Sequence, residues 1–393
     1  MKVLIYLEEN LLAPKGGPYA VGYYIYQQLK LRNNDKIHFL PVSKENTHRE
    51  KITKFPLLYT LLQPIYRIYA RYKRYSKLLT IGGISKVDLS EYDIVHFHKT
   101  MDIMEAKQSL ESYKGIVMLT SHSPEPLSKE IWDNYLTRFE KIVFSKLYKR
   151  LIEMDEYAFC HADIIHFPCK EAEEPYYNNW PAYKEIKAKN IKKFVYIPTG
   201  IPVSIPKRKQ QAVREELSIS EDAFVISYMG RHNCVKGYDK LKRIGECILN
   251  QNSNMWIIVG GKEAPLTRYK HPQWIEVGWT NDAHSYIAAS DIFMLPNFET
   301  YFDIVMLEVL SLGKIVVASR TGGNKYFERF EESGIFLYDT IEDAVNIINK
   351  ISTMSLETRS DLGKLNKNIY EQNFTDKVFV DSYLKYLDTI YNS

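Results

Sequence analysis

Short β-branched and aromatic runs alternate with stretches of helical spacing along this chain, and the alternation runs through twice. That pattern builds βαβ units, which stack into a parallel sheet covered by helices on both faces. In the first half the expected strands are Val3–Leu7, Ile37–Pro41, Ile94–His98, Ile116–Thr120, Ile164–Phe167 and Val195–Ile197. Helices are expected at Tyr19–Leu31, Tyr59–Leu79, Glu130–His161 and Glu171–Trp180. After a helical stretch at Gln211–Leu217, strands recur at Val225–Met229, Trp256–Val259, Ile275–Val277, Ile292–Leu295, Ile315–Ala318 and Gly334–Leu337. The helices between them fall at Tyr238–Asn250, Asn281–Ala289, Ile304–Leu312 and Ile341–Ile351, and an amphipathic stretch, Asp376–Tyr391, ends the chain. Pro198, Pro202 and Pro206 resist helix and make 198–208 an extended connection. The fold class is therefore α/β, with two Rossmann-like, doubly wound domains. The first is expected over 1–205, completed by 376–393, and the second over 206–375.

The 393 residues suffice for two or three domains. A hydrophobic fraction of 45% and a charged fraction of 25% exclude wholesale disorder, a collagen-like chain and a polytopic membrane protein. The net charge of +4 provides no global field for nucleic acid, so an anionic partner has to be met by a local patch. Cys160, Cys169, Cys234 and Cys247 include no C-x-x-C pair and read as free thiols of a reducing compartment. The Met1–Leu7 strand, followed by Glu8 and Glu9, is unlike a signal peptide, and no run approaches the ~18 apolar residues of a spanning helix. A cytoplasmic protein is expected, with peripheral attachment to the inner face of the membrane left open.

Open α/β sheets bind ligands beyond the carboxyl ends of their strands, so the loops there hold the candidate sites. Lys15-Gly16-Gly17-Pro18 precedes a helix, and its two glycines allow close backbone approach to a phosphate or sugar hydroxyl. A plain strand-to-helix turn explains it equally. Gly230-Arg231-His232-Asn233-Cys234-Val235-Lys236-Gly237 follows the first strand of the second half. Arg231 can fork onto phosphate oxygens and Lys236 adds a mobile point charge, which suits a diphosphate leaving group, though a solvated basic loop has the same composition. Asn297 to Glu308 joins a buried strand to an apolar helix whose first N–H groups form an anion site. Glu308 on that helix needs a hydrogen-bond partner, either a ribose hydroxyl pair or a protein donor. Ser319-Arg320-Thr321-Gly322-Gly323 is another strand-end loop, and His122 follows a strand of the first half. His96 and His98 alternate on Ile94–His98 and read as core or strand-end residues. D-x-D occurs nowhere, so no metal ligand is assigned and no cofactor is expected.

In this order the elements resemble the glycosyltransferases of family 4. Gly230-Arg231 with Lys236-Gly237 is similar to the family's "GR…KG" element, and Phe302-Asp303-Ile304-Val305-Met306-Leu307-Glu308 to "FG-hydrophobic-LLE". Val277-Gly278-Trp279, Ala289 to Pro296, and Gly313 to Ser319 resemble its "G-x-V", "aD-hydrophobic-P" and "GxPVVAS" stretches. In the first half Gly16-Gly17, Tyr92 to His98 and Ile197 to Ile201 resemble "GG", "YDVVHxH" and "IPNGI". The resemblance implies the GT-B architecture, two Rossmann-like domains facing across a cleft, with the C-terminal helix returning to the first. It implies a nucleotide-sugar donor held by Gly16, Gly17, Arg231, Lys236, Glu299, Thr300, Phe302, Asp303, Ile304 and Glu308. The catalytic set would be His122, Arg231 and Lys236, with Arg231 and Lys236 on the diphosphate, Glu308 on the ribose and His122 toward the sugar. The sequence departs from the family pattern in four places. Thr300 stands where a sugar-contacting glutamate is usual, with Glu299 one place early. Asp303 replaces a glycine, Tyr326 a glutamate and Pro202 an aspartate.

From Lys51 to Thr80 the chain carries Lys51, Lys54, Arg67, Arg71, Lys73, Arg74 and Lys77 and no acid. Interleaved Leu, Ile and Tyr residues make this a stretch for an anionic membrane surface or an acceptor, or else an ordinary helix with solvated cations. The expected function is a retaining, metal-independent glycosyltransferase. It would move a sugar from a nucleotide diphosphate, read as UDP, to a lipid-linked or other glycan acceptor in surface polysaccharide or glycoconjugate synthesis. A UDP-sugar epimerase and a catalytically inactive partner of another transferase remain open. Nucleic acid is not expected as a partner, and oligomeric state is not legible.

Overall fold

The computed structural model describes residues 1–14, 17–41, 56–122 and 125–392. The chain forms two compact units, Met1–Phe167 with Tyr176–Val195 and Lys385–Ser393, and Pro168–Pro175 with Tyr196–Leu384.

Strands β1 (Val3–Glu8), β2 (Ile37–Leu40), β3 (Ile94–Phe97), β4 (Ile116–Thr120), β5 (Ile164–Phe167) and β6 (Phe194–Tyr196) form the first sheet, in the order β2-β1-β3-β4-β5-β6. The ladders from β2 to β5 are parallel. Burial on both faces explains why Val3 to Leu7 reads as an unbroken apolar run rather than an alternating one. The strand order reverses between β1 and β3, so the crevice where a ligand enters such a sheet lies at their carboxyl ends. Helix α1 (Gly17–Leu31) follows β1, and α2 (Pro56–Thr80) precedes β3. The stretch expected as one helix from Glu130 to His161 is three: Ser128–Asp133, α3 (Arg138–Val143) and Leu147–His161. A capping box explains the restart, since the Thr137 hydroxyl accepts from the Glu140 N–H while the Glu140 carboxylate accepts from the Thr137 N–H. Glu171–Trp180 also differs, beginning as a tight turn at Lys170–Glu173 before the helix Glu174–Asn179.

The second sheet comprises β7 (Phe224–Met229), β8 (Met255–Gly260), β9 (Trp274–Gly278), β10 (Ile292–Leu295), β11 (Ile315–Ser319) and β12 (Ile335–Tyr338). Its order is β12-β11-β10-β7-β8-β9, all parallel. Counted from its own first strand this is 3-2-1-4-5-6, the dinucleotide-binding order, with its switch point between β7 and β10. Ile226, Ile257, Ile292 and Val317 pack on one face, and Val225, Ile258 and Ala289 on the other. Helices α4 (Tyr238–Gln251), α5 (Ala283–Ala289) and α6 (Ile304–Ser311) follow β7, β9 and β10. Helix α7 (Leu356–Asn373) was not expected, and α8 (Asp376–Tyr391) ends the chain.

Candidate functional site

Two strand-end loops meet at the switch point of the second sheet. The loop after β7 is pinned from below, where the Tyr228 hydroxyl donates to the Arg231 carbonyl at 2.9 Å. The Lys236 N–H donates to Asn233 Oδ1 at 2.8 Å. Gly237 has φ +68, and a Cβ there would overlap the Pro296 carbonyl, so only glycine lets this loop lie under the chain leaving β10. The Phe298 N–H donates to the Val235 carbonyl at 3.0 Å, tying the loops together. Arg231 is exposed, with no acidic partner among the described residues, so its fork of donors remains available. Lys236 is engaged, its Nζ 2.6 Å from Asp303 Oδ1. The other Asp303 oxygen accepts from the Asn297 amide. Asp303, the departure from the family glycine, thus occupies the position of counter-ion to Lys236.

Beyond Asp303, α6 begins at Ile304. Glu299 and Thr300 are both buried. Among the described residues Asn297 Oδ1 and Thr300 Oγ1 have no hydrogen-bond partner. Buried oxygens without partners are costly, and a polar ligand would relieve them. The Gly323 N–H donates to the Thr300 carbonyl at 3.2 Å. Gly322 has φ +43, and a Cβ there would strike the same carbonyl. Phe302 stacks on Phe327 with centroids 5.7 Å apart and is also close to Phe374 and Tyr326, so its side chain packs in an aromatic cluster. Glu308 Oε1 lies 3.7 Å from His284 Nε2 on α5. The neighbouring Glu308 carboxylate raises the His284 pKa against the opposing effect of burial. His284, a protein partner for Glu308, was not anticipated, although its helix was.

In the first unit, Gly17 opens α1 with φ +65, and an added Cβ would meet nothing within 4 Å. Gly16 lies outside the described residues. Lys99, at the end of β3, donates to the Tyr19 hydroxyl at 2.8 Å, so the loops flanking the β1/β3 switch point converge. His122, after β4, is paired through Nε2 with His98 Nδ1 at 2.8 Å. Beneath them the Thr120 hydroxyl sits 2.7 Å from both His96 Nε2 and His166 Nδ1. Burial pulls the His122 pKa down to about 3, with His166 and Lys99 pushing the same way. His96 and His98 are lowered well below the ordinary value for the same first reason. All three imidazoles are neutral at pH 7. Sequence spacing placed His96 and His98 on their strand, but the bond from His98 to His122 needed the pairing of β3 with β4.

Helix α2 carries Arg67, Arg71, Lys73, Arg74 and Lys77, while Lys51 and Lys54 lie outside the described residues. Its last turns bury Tyr75 and Leu78 against Leu147 and Leu151. Ile65, Tyr66, Ile68, Tyr69 and Tyr72 are exposed instead, Ile68 by 69%. Phe139 and Ile142 of α3 are exposed by 74% and 75%. Arg71 joins the two helices, donating to both Glu140 oxygens at 2.7 Å. Lys77 lies 3.5 Å from Glu105, which leaves Arg67, Lys73 and Arg74 as the freer cations of the helix. Among the described residues no helix is long and apolar enough to cross a membrane.

Residues 223–355 match the family described as "Glycosyl transferases group 1". Lipopolysaccharide 1,2-N-acetylglucosaminetransferase of Salmonella typhimurium is 27% identical over 177 residues, 40% of this chain and 46% of that protein. The lipopolysaccharide core biosynthesis glycosyltransferase LpsE of Rhizobium meliloti is 27% identical over 184 residues, 44% of this chain and 52% of that protein. The chain thus spans about half the length of these curated relatives. Among solved structures, sucrose-phosphate synthase from Thermosynechococcus elongatus superimposes with TM-score 0.66 at 13% identity, covering 100% of both chains. HepE of Anabaena in complex with UDP-glucose gives TM-score 0.60 at 15% identity over 99% of this chain and 100% of that one. The two six-stranded α/β sheets are therefore of the GT-B type, and residues 223–355 carry the likeness to group 1 glycosyl transferases.

Proposed function

We propose that this protein is a glycosyltransferase that takes a sugar from a nucleotide diphosphate and passes it to a glycan acceptor with retention of anomeric configuration. The observation that carries the reading is the meeting, at the β7/β10 switch point, of a cationic loop (Arg231, Lys236) with the start of α6. Cations and helix N–H groups at a doubly wound switch point suit a diphosphate. Arg231 grips it bidentately, Lys236 exchanges Asp303 for phosphate oxygen, and Glu308 turns from His284 to the ribose hydroxyls. These cations stabilise the leaving diphosphate in place of a metal ion. As the bond from the anomeric carbon to the leaving oxygen breaks, the acceptor oxygen bonds to that carbon on the same face. Its proton passes to a leaving phosphate oxygen. UDP is the favoured nucleotide, being the one in the HepE complexes. A lipid-linked acceptor of surface polysaccharide synthesis fits the lipopolysaccharide enzymes among the relatives. It also fits the exposed apolar and cationic side chains of α2, which we assign to an anionic membrane surface.

Titration calorimetry with UDP and UDP-sugars tests this reading. Binding is expected, with loss in both R231A and K236A, and UDP release should require an acceptor. Equal binding and turnover in both variants overturns the assignment. The Lys236–Asp303 pair favours a second reading, a catalytically inactive partner in which Asp303 permanently replaces phosphate. That reading requires no sugar-nucleotide binding by the parent chain and recovery of binding in D303G.

A further inference from the structure

The second unit has a cavity of about 410 Å³ at the opposite end of its strands from the loops described above. It opens where β10 and β11 begin, between the Ser290–Asp291 and Gly313–Lys314 turns and the first half of α7. Its size falls within the range of small-molecule sites. Four cations line it, Lys314, Arg359, Lys364 and Lys367, against one acid, Asp291.

That acid is already satisfied on one side. Asp291 Oδ2 accepts from Arg214 Nη2 at 2.9 Å and from the Val225 N–H at 2.8 Å. Arg214 is engaged as well, giving Nε and Nη1 to the carbonyls of Ala289, Glu221 and Ala223. Arg359 is in the opposite condition. Its side chain is largely buried and lies over the Phe224 ring, and its Nε has no partner among the described residues. Its Nη2 stands 3.7 Å from Asp291 Oδ1, beyond hydrogen-bond reach. A buried guanidinium left with open donors is expensive unless something fills them. Lys314 shows similar strain. Its Nζ has one carbonyl partner, Ser290 at 2.8 Å, and burial draws its pKa down to about 8, aided by Arg214 and opposed by Asp291. Lys364 and Lys367 pair only with neighbours on the exposed face of α7, Asp361 at 2.8 Å and Glu371 at 4.0 Å. Such surface pairs yield readily to a stronger anion.

We propose that this cavity is a second, non-donor site for a phosphate-bearing ligand, with Arg359 and Lys314 holding the phosphate and Lys364 and Lys367 at its mouth. The phosphate belongs either to a soluble metabolite or to a lipid headgroup; Leu356, 75% exposed at the rim, suits the latter. The site is independent of the donor loops, so it stands or falls separately from the transferase reading.

Inorganic pyrophosphate titrated calorimetrically into the full-length R231A/K236A variant isolates this site. One equivalent is expected to bind, and K364Q/K367Q added to that background should weaken it about tenfold. R359Q should abolish it; should R359Q not fold, the exposed lysine pair still decides. Sedimentation with phosphatidylglycerol vesicles forms the second arm. A drop in pelleting caused by K364Q/K367Q assigns the phosphate to lipid, and unchanged pelleting with impaired pyrophosphate binding assigns it to a soluble ligand. If neither probe separates the lysine variant from its parent, the proposal is wrong.

Discussion

Lys236 and Asp303 form an ion pair that spans the two strand-end loops of the second sheet, Nζ to Oδ1 at 2.6 Å. A diphosphate at Lys236 would have to share the ammonium with this carboxylate or displace it. The aspartate therefore subtracts from donor affinity, and D303N should tighten UDP binding about tenfold, the worth of one charge-assisted contact. Calorimetric titration of UDP into D303N and the parent chain reads the change directly. Weaker binding by D303N would mean that Asp303 itself touches the nucleotide.

Gly237 sits in left-handed backbone beneath the Pro296 carbonyl. G237A is expected to lose about 2 kcal/mol or more of stability through strain and displacement of the loop. UDP affinity should fall with it, because the loop carries both cations. Urea unfolding and calorimetry on the same preparation check the two effects together.

Glu308 holds the pKa of His284 above its ordinary value. A raised histidine pKa means that the stability from this pair is complete below the unfolded value near ~6.5 and is lost as pH rises through the folded pKa. NMR titration of the His284 ring should show its pKa falling in E308Q, and UDP should lower it as well by drawing Glu308 to the ribose. An unchanged His284 titration on UDP binding would remove Glu308 from the donor site.

The buried imidazoles of the first unit act in the opposite sense. His122 titrates near about 3 when folded, while an unfolded histidine titrates near ~6.5. Between those values the unfolded chain binds more protons, so stability falls as pH drops through this window. Each such histidine contributes a slope of up to about 1.4 kcal/mol per pH unit. Denaturant unfolding at a series of pH values should show a shallower acid limb in H122Q than in the parent chain.

Arg67, Lys73 and Arg74 should each contribute about fivefold to affinity for anionic vesicles, near 1 kcal/mol per cation. Substitution to Gln is expected to reduce sedimentation with phosphatidylglycerol in low salt. I68S/Y69S should reduce the part that persists in high salt. Pelleting that ignores lipid charge, salt and all five changes would leave the exposed face of α2 without a membrane role.

Both sheets were legible because a parallel sheet buried on two faces writes itself as short apolar runs, as in Val3 to Leu7 and Ile315 to Ala318. Helix α7 was not legible. Its 18 residues bury only Gly363, Asn366 and Tyr370, so no apolar stripe marks it. Gly363 reads as a breaker in sequence, yet it is required there because a Cβ would strike the Gly313 carbonyl. At the candidate site, Arg231, Lys236 and Glu308 were singled out by motif resemblance, but the contacts around them were not. Asp303 is 67 residues from Lys236, and no local pattern encodes a pair closed only by the pairing of β7 with β10. The orphaned oxygens of Asn297 and Thr300 likewise become visible only once burial is known.

Pro168–Pro175 precedes β6 in sequence yet packs in the second unit, where Glu174 accepts from the Gly322 N–H and the Lys325 ammonium, 148 and 151 residues away. Chains emerge from the ribosome amino end first, and closing so long a loop carries a large entropic cost. The first sheet can therefore assemble while Glu174 still waits for its partners to be synthesised. Maturation of the second unit has an order in time: the Gly322–Arg329 turn must be synthesised before this early segment can dock, and the first unit is itself completed only by Lys385–Ser393.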